Sequence, residues 1–129
     1  MSPEQSAAQP CGPLRLGALE QQVMDALWDD GPLSIREVIT RLGDKHAYTT
    51  IATVLGNLER KQLVVPERRA RAVTYTARCT RELHAARLME QALDTSHDRD
   101  AAILHFFDAI DERERDLLRD YLARREPDR

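Results

Sequence analysis

From Leu16 onward the chain carries apolar residues at helical spacing: Leu16, Leu19, Val23 and Leu27, with Met24 and Trp28 beside them. The spacing predicts an amphipathic helix of about three turns that stops at Asp29-Asp30-Gly31-Pro32. Ser34 and Glu37 are placed as a capping box, each side chain covering an orphan amide of the other's end. Ile35, Val38, Ile39 and Leu42 then form the stripe of a short second helix, which Gly43 can terminate. After the polar break at 43–46, the run AYTTIATVLGNLERK sets Ile51, Val54, Leu55 and Leu58 on one helical face and Thr49, Thr50, Thr53, Asn57, Arg60 and Lys61 on the other. Two β-rich runs, LVVPE (63–67) and AVTYTA (72–77), flank Arg68, Arg69, Ala70 and Arg71, a hairpin pattern with a basic tip. Pro66 suits an edge strand, where its missing N–H costs nothing. From Thr80 the pattern is helical again, with Leu83, Ala86, Met89 and Leu93 on one side. A polar link at 95–100 leads to Ile103, Phe106, Phe107 and Ile110. Asp111 and Glu114 form another capping box, opening a last helix with Leu117, Leu118, Tyr121 and Leu122.

Order helix, helix, helix, strand, basic turn, strand over 16–77 is that of a winged helix-turn-helix, so the fold class expected is mainly α with a small β-hairpin wing and a C-terminal helical unit. Residues 1–13 contain three prolines and almost no bulky apolar side chain, and read as a disordered arm. The expected layout is an arm at 1–13, a winged DNA-binding domain at 14–79 and a helical dimerisation domain at 80–129. With 129 residues there is room for about one domain's core, which excludes large multi-domain enzymes. An apolar fraction of 42% with 32% charged residues is that of a soluble globular chain; no run approaches a membrane span and no signal-peptide pattern opens it, so a cytoplasmic protein without membrane insertion is expected. Cys11 and Cys79 are too few for a disulfide framework and read as free thiols.

The net charge of −3 argues against a polyanionic partner only until it is taken apart. Residues 1–35 hold one base and five acids, residues 36–81 ten bases and four acids, and residues 82–129 eight bases and thirteen acids. A basic middle between acidic ends reads as an electropositive working surface, chance clustering being the plain alternative. The chemistry of that middle fits double-stranded DNA. Hydroxyls and carboxamides can bond base edges or phosphates in the major groove, a helix N-terminus favours a phosphate, and guanidiniums supply charge toward the backbone. Candidate contacts are Tyr48, Thr49, Thr50, Thr53, Asn57, Arg60 and Lys61 on the third helix and Arg68, Arg69 and Arg71 on the hairpin. An ordinary solvated face is the alternative for the threonines, a merely soluble turn for the arginines.

LGALEQQVMDALWDDGPLSIREV, followed by AYTTIATVLGNLERKQLV, resembles the penicillinase-repressor (BlaI/MecI) family of bacterial regulators. The likeness covers about residues 14–122 and is most specific over 16–65. It implies a homodimeric transcriptional repressor bound to a dyad operator, controlling β-lactam-response or related genes. Thr49, Thr50, Thr53 and Asn57 fall where the family contacts DNA. Asn57 stands where many members place arginine, and Gln62 where glycine is usual. The resemblance also implies release by a membrane-sensor protease, which in this chain would cut at His105-Phe106. Read from periodicity alone, Phe106 is a core residue.

Independently of that resemblance, the apolar stripes of residues 82–122 are too little to close a core, so a second copy is the economical cover; docking on the chain's own winged domain is the alternative. Leu83, Met89, Leu93, Ile103, Phe106, Phe107, Ile110, Leu118, Tyr121 and Leu122 are the expected dimer residues. No Cys-x-Cys pair is present, and Cys79 near His84 reads as an isolated thiol beside an exposed histidine, so neither metal nor cofactor is expected. No phosphate loop or nucleophile motif announces an enzyme. The competing reading is a winged-helix adaptor that binds proteins without specific DNA recognition.

Overall fold

The computed structural model describes residues 15–125, and the N-terminal stretch expected as an arm, with Cys11, lies outside them. The described elements are α1 (Ala18–Asp30), α2 (Ile35–Arg41), α3 (Tyr48–Arg60), β1 (Val64–Arg69), β2 (Ala72–Ala77), α4 (Arg81–Asp94), α5 (Arg99–Ala109) and α6 (Glu112–Arg125). This is the mainly helical fold with a two-stranded antiparallel wing that the sequence pattern predicts. The chain forms two compact units, one ending at Leu88 and one beginning at Met89.

Local chemistry fixes the helix ends. The Glu37 N–H donates to Ser34 Oγ at 3.1 Å and the Ser34 N–H to the Glu37 carboxylate at 2.8 Å, so the box that opens α2 is closed in both directions. Asp111 and Glu114 do the same for α6 at 2.8 and 3.0 Å. Thr80 Oγ1 accepts from the Leu83 N–H at the start of α4, and Asp98 Oδ1 from the Ala101 N–H at the start of α5. Each such cap contributes about 1 kcal/mol. At the far end of α2, Gly43 takes φ 92°, the left-handed region. Its N–H bonds the Thr40 carbonyl at 3.1 Å while the Asp44 N–H bonds that of Ile39 at 2.9 Å, the paired closure of a Schellman motif.

The core belongs to the first unit. Val23, Met24, Ala26 and Leu27 of α1, Val38 of α2, and Ile51, Leu55 and Leu58 of α3 are buried together with Leu33, Leu63 and Val64. β1 and β2 pair from Val64 opposite Ala77 to Arg69 opposite Ala72. β1 therefore runs two residues beyond the β-rich run at 63–67, while β2 coincides with the run at 72–77, and Ala70 and Arg71 alone make the turn, with Ala70 at φ 52°. A tie that periodicity does not show joins Leu33 to Tyr75 through two backbone bonds of 3.1 and 2.8 Å. It anchors the wing to the segment between α1 and α2.

The start of α4 packs on α1. Trp28 Nε1 donates to the Cys79 carbonyl at 2.9 Å, and the Arg81 guanidinium lies 5.1 Å from the Trp28 ring centre while bonding Asp25 and Asp29 at 3.2 Å each. His84 sits 5.3 Å from the same indole, 4% exposed, with neither ring nitrogen hydrogen-bonded. Two expectations are corrected here. His84 is buried, because the first turn of α4 faces Trp28, and Cys79 is disulfide-bonded rather than a free thiol. In the second unit, α5 and α6 bury no residue, and Phe106, read from periodicity as core, is 48% exposed. Two short helices offer too little facing surface to enclose it.

Burial pushes the His84 imidazole below its ordinary value of about 6.5. The unfolded chain therefore binds the proton more readily than the folded one, and stability falls as pH drops below about 6.5. Denaturant unfolding at pH 7.5 and 5.5 is expected to show a larger acid loss in the wild type than in His84→Phe, which keeps a ring on Trp28 and cannot titrate. Equal losses in the two proteins would show that His84 has no part in it.

Candidate nucleic-acid interface

At about 100° per residue, the buried side of α3, formed by Ile51, Leu55 and Leu58, fixes what the other side presents. Thr49, Thr53 and Arg60 lie roughly opposite the core, with Thr50 and Asn57 flanking them. Thr49, Thr50, Thr53 and Arg60 are exposed and Asn57 is half-buried. The N-cap is Ala47, which makes no side-chain bond to the first-turn amides. Those amides lie at the positive end of the helix dipole, where an anion is favoured.

The candidates are not all equally free. Arg60 donates to Asn57 Oδ1 at 2.6 Å, so the carboxamide oxygen is occupied and its NH₂ group is the part left for an outside acceptor. Tyr48 is 48% exposed, and the Arg36 guanidinium of α2 stands 5.4 Å from its ring centre. Arg36 lies outside the contacts that the sequence predicts. Only its place in the basic segment hints at a role, since the contact with Tyr48 depends on how α2 crosses α3. Lys61 differs most from expectation: its ammonium is bound to Glu20 of α1 at 2.9 Å instead of standing with the exposed polar series.

On the wing, Arg68, Arg69 and Arg71 are all exposed. Side chains alternate along a strand, so Arg68 and Arg69 project to opposite faces of the ribbon, and Arg71 sits in the turn. The tip thus spreads its charge around itself instead of aiming three guanidiniums at one point. Arg69 also bonds Glu67, two residues back on its own face, at 2.9 Å.

A second Schellman motif joins α3 to the wing. The Gln62 N–H bonds the Glu59 carbonyl and the Leu63 N–H that of Leu58, both at 2.9 Å, with Leu58 and Leu63 buried side by side in the core. Gln62 takes φ 65°, the conformation for which glycine is the unstrained choice.

Three helices around one core, the third with an outward polar face and followed by a basic hairpin, define a winged helix-turn-helix module. The chain belongs to the penicillinase repressor family, whose sequence model matches residues 16–124. It is also 41% identical over 115 residues to the transcriptional regulator BlaI of Mycobacterium tuberculosis, in strain CDC 1551 / Oshkosh and in strain ATCC 25618 / H37Rv alike. The alignment covers 84% of this chain and 83% of each relative. Among the described residues, no helix is long and apolar enough to cross a membrane.

Replacing Gln62 by glycine is expected to raise stability by about 1 kcal/mol, because the left-handed position then carries no Cβ. Denaturant midpoints of the two proteins check this, and a lower midpoint for Gln62→Gly would refute it.

Proposed function

We propose that this family member is a sequence-specific DNA-binding repressor that acts as a homodimer on a dyad operator. The observation that carries the reading is the outward face of α3, where Thr49, Thr50 and Thr53 stand exposed on a helix whose other side is locked in the core, beside an exposed arginine tip. Base contacts fall to the threonines and the Asn57 amide, and phosphate contacts to Arg60, Arg68, Arg69 and Arg71. Tyr48 and Arg36 flank the helix N-terminus.

Dimerisation is supported by apolar side chains that this chain leaves uncovered. Ile103, Phe106, Phe107, Leu118, Tyr121 and Leu122 are each more than 40% exposed, and Leu83 and Met89 on α4 are exposed as well. Leu93 and Ile110 are half-buried. Exposed aromatic and aliphatic residues in this number are typical of a surface that a partner covers, and a second copy supplies the same surface by two-fold symmetry. Such a dimer sets two α3 helices about one DNA turn apart. The layout follows, with 14–79 reading DNA and 80–129 pairing. Control of β-lactam-response genes, and release by a membrane-sensor protease at His105-Phe106, are the finer parts of the proposal. That bond lies inside α5, so cleavage requires local unwinding.

Titration with duplex DNA separates this reading from a protein-binding adaptor. With about six or more phosphates contacted, affinity is expected to fall by about a thousandfold between about 50 and 200 mM salt, whereas an apolar protein interface is indifferent to salt. Thr50→Ala and Thr53→Ala are each expected to cost about 1–3 kcal/mol on the preferred sequence with little effect on random DNA, while Arg69→Ala weakens both alike. No binding to any duplex, or a sedimenting monomer at micromolar concentration, would contradict the proposal.

A further inference from the structure

Lys61 closes the polar series of α3 in sequence, yet its ammonium turns back to the protein. Nζ donates to both carboxylate oxygens of Glu20, at 3.0 and 2.9 Å, and Oε1 accepts the Gly17 N–H as well, at 3.0 Å. The Glu20 side chain is 14% exposed and that of Lys61 32%, so the pair is partly shielded from water. The hydrogen bond from Lys61 holds the Glu20 carboxyl below its ordinary range. It links the first turn of α1 to the end of α3 across 41 residues of sequence. Apolar contacts decide which face of α3 is buried, but they are non-directional, so they set the last few degrees of rotation about the helix axis less strictly than a directional bond does. The same rotation displaces every side chain on the outward face. A charge-assisted bond at the helix end is directional and resists it.

We propose that Glu20 and Lys61 are positioning residues for the recognition helix, a clamp that fixes the rotation at which α3 presents its threonines, and that Lys61 is not a phosphate contact. The inference rests on the DNA-binding reading above. It makes a prediction opposite in sign to the usual view of a lysine on such a helix. If Lys61 served phosphates, Glu20 would be its competitor, and removing that carboxylate would strengthen binding.

The test uses the full chain, a labelled duplex that the wild type enriches from a random-sequence pool, and the unselected pool, over a series of salt concentrations. Glu20→Gln is expected to lose about tenfold on the enriched duplex, the scale usual for a support behind a binding residue, with little change on the pool and an unchanged salt slope. Glu20→Lys combined with Lys61→Glu restores the pair with its charges exchanged and is expected to recover selectivity that either single change loses. Tighter binding of Glu20→Gln to both DNAs, with a slope steeper by about 0.9, would make Lys61 a phosphate contact and overturn the clamp. So would an exchange variant no better than Lys61→Glu alone, or single variants indistinguishable from the wild type on the enriched duplex. A wild type that enriches no duplex overturns the DNA reading and the clamp together, whereas enrichment with unaffected variants overturns only the clamp.

Discussion

Burial of Ile51, Leu55 and Leu58 between α1 and α2 is the constraint from which the rest of the winged unit follows. Each such side chain contributes about 1.5–3 kcal/mol by leaving water, enough that α3 has one acceptable face inward. Helical geometry then sends Thr49, Thr53 and Arg60 outward without any interaction among them. The same core reaches past the helix end, because the Leu58–Leu63 closure carries the chain directly into Val64 and the wing. The third helix and the hairpin are thereby set by one packing solution.

Charge is arranged on top of that frame. The overall excess of acid hides a basic segment, and the structure shows its bases in different circumstances. Arg81 is held by Asp25 and Asp29, Lys61 by Glu20, and Arg41 by Asp30, while the wing arginines stand at an exposed tip. In the second unit Arg99 and Arg119 are matched locally with Asp94 and Asp116. Exposed pairs of this kind add little stability, but they neutralise surface that would otherwise compete for anions. Positive charge in a local sequence count is therefore an upper bound on the charge a partner meets.

What could be read in the sequence was what depends on near neighbours. Ser34 with Glu37, and Asp111 with Glu114, are three residues apart and closed as their spacing dictates. Gly43 ends α2, and the β-rich runs flanking the wing arginines form a hairpin. Contacts between distant residues were not readable. Glu20 gives no sign that it holds Lys61, nor Leu33 that it pairs with Tyr75, because either partner would look the same on a solvated surface. His84 misleads for a related reason: its surroundings come from Trp28, more than fifty residues earlier in the chain, and burial is not a property of the local pattern. Cys79 misleads because a disulfide depends on a second cysteine that local spacing does not identify. Phe106 shows the converse, since an apolar period promises a buried face without saying which molecule does the burying.

Trp28 is the sole tryptophan of the chain, and both the guanidinium of Arg81 and the imidazole of His84 lie near its ring, with its own N–H on the Cys79 carbonyl. Indole emission is sensitive to both neighbours and to the loss of that hydrogen bond. The protein therefore carries an intrinsic optical reporter at the start of α4. Detachment of the first turn of α4 becomes visible without any label.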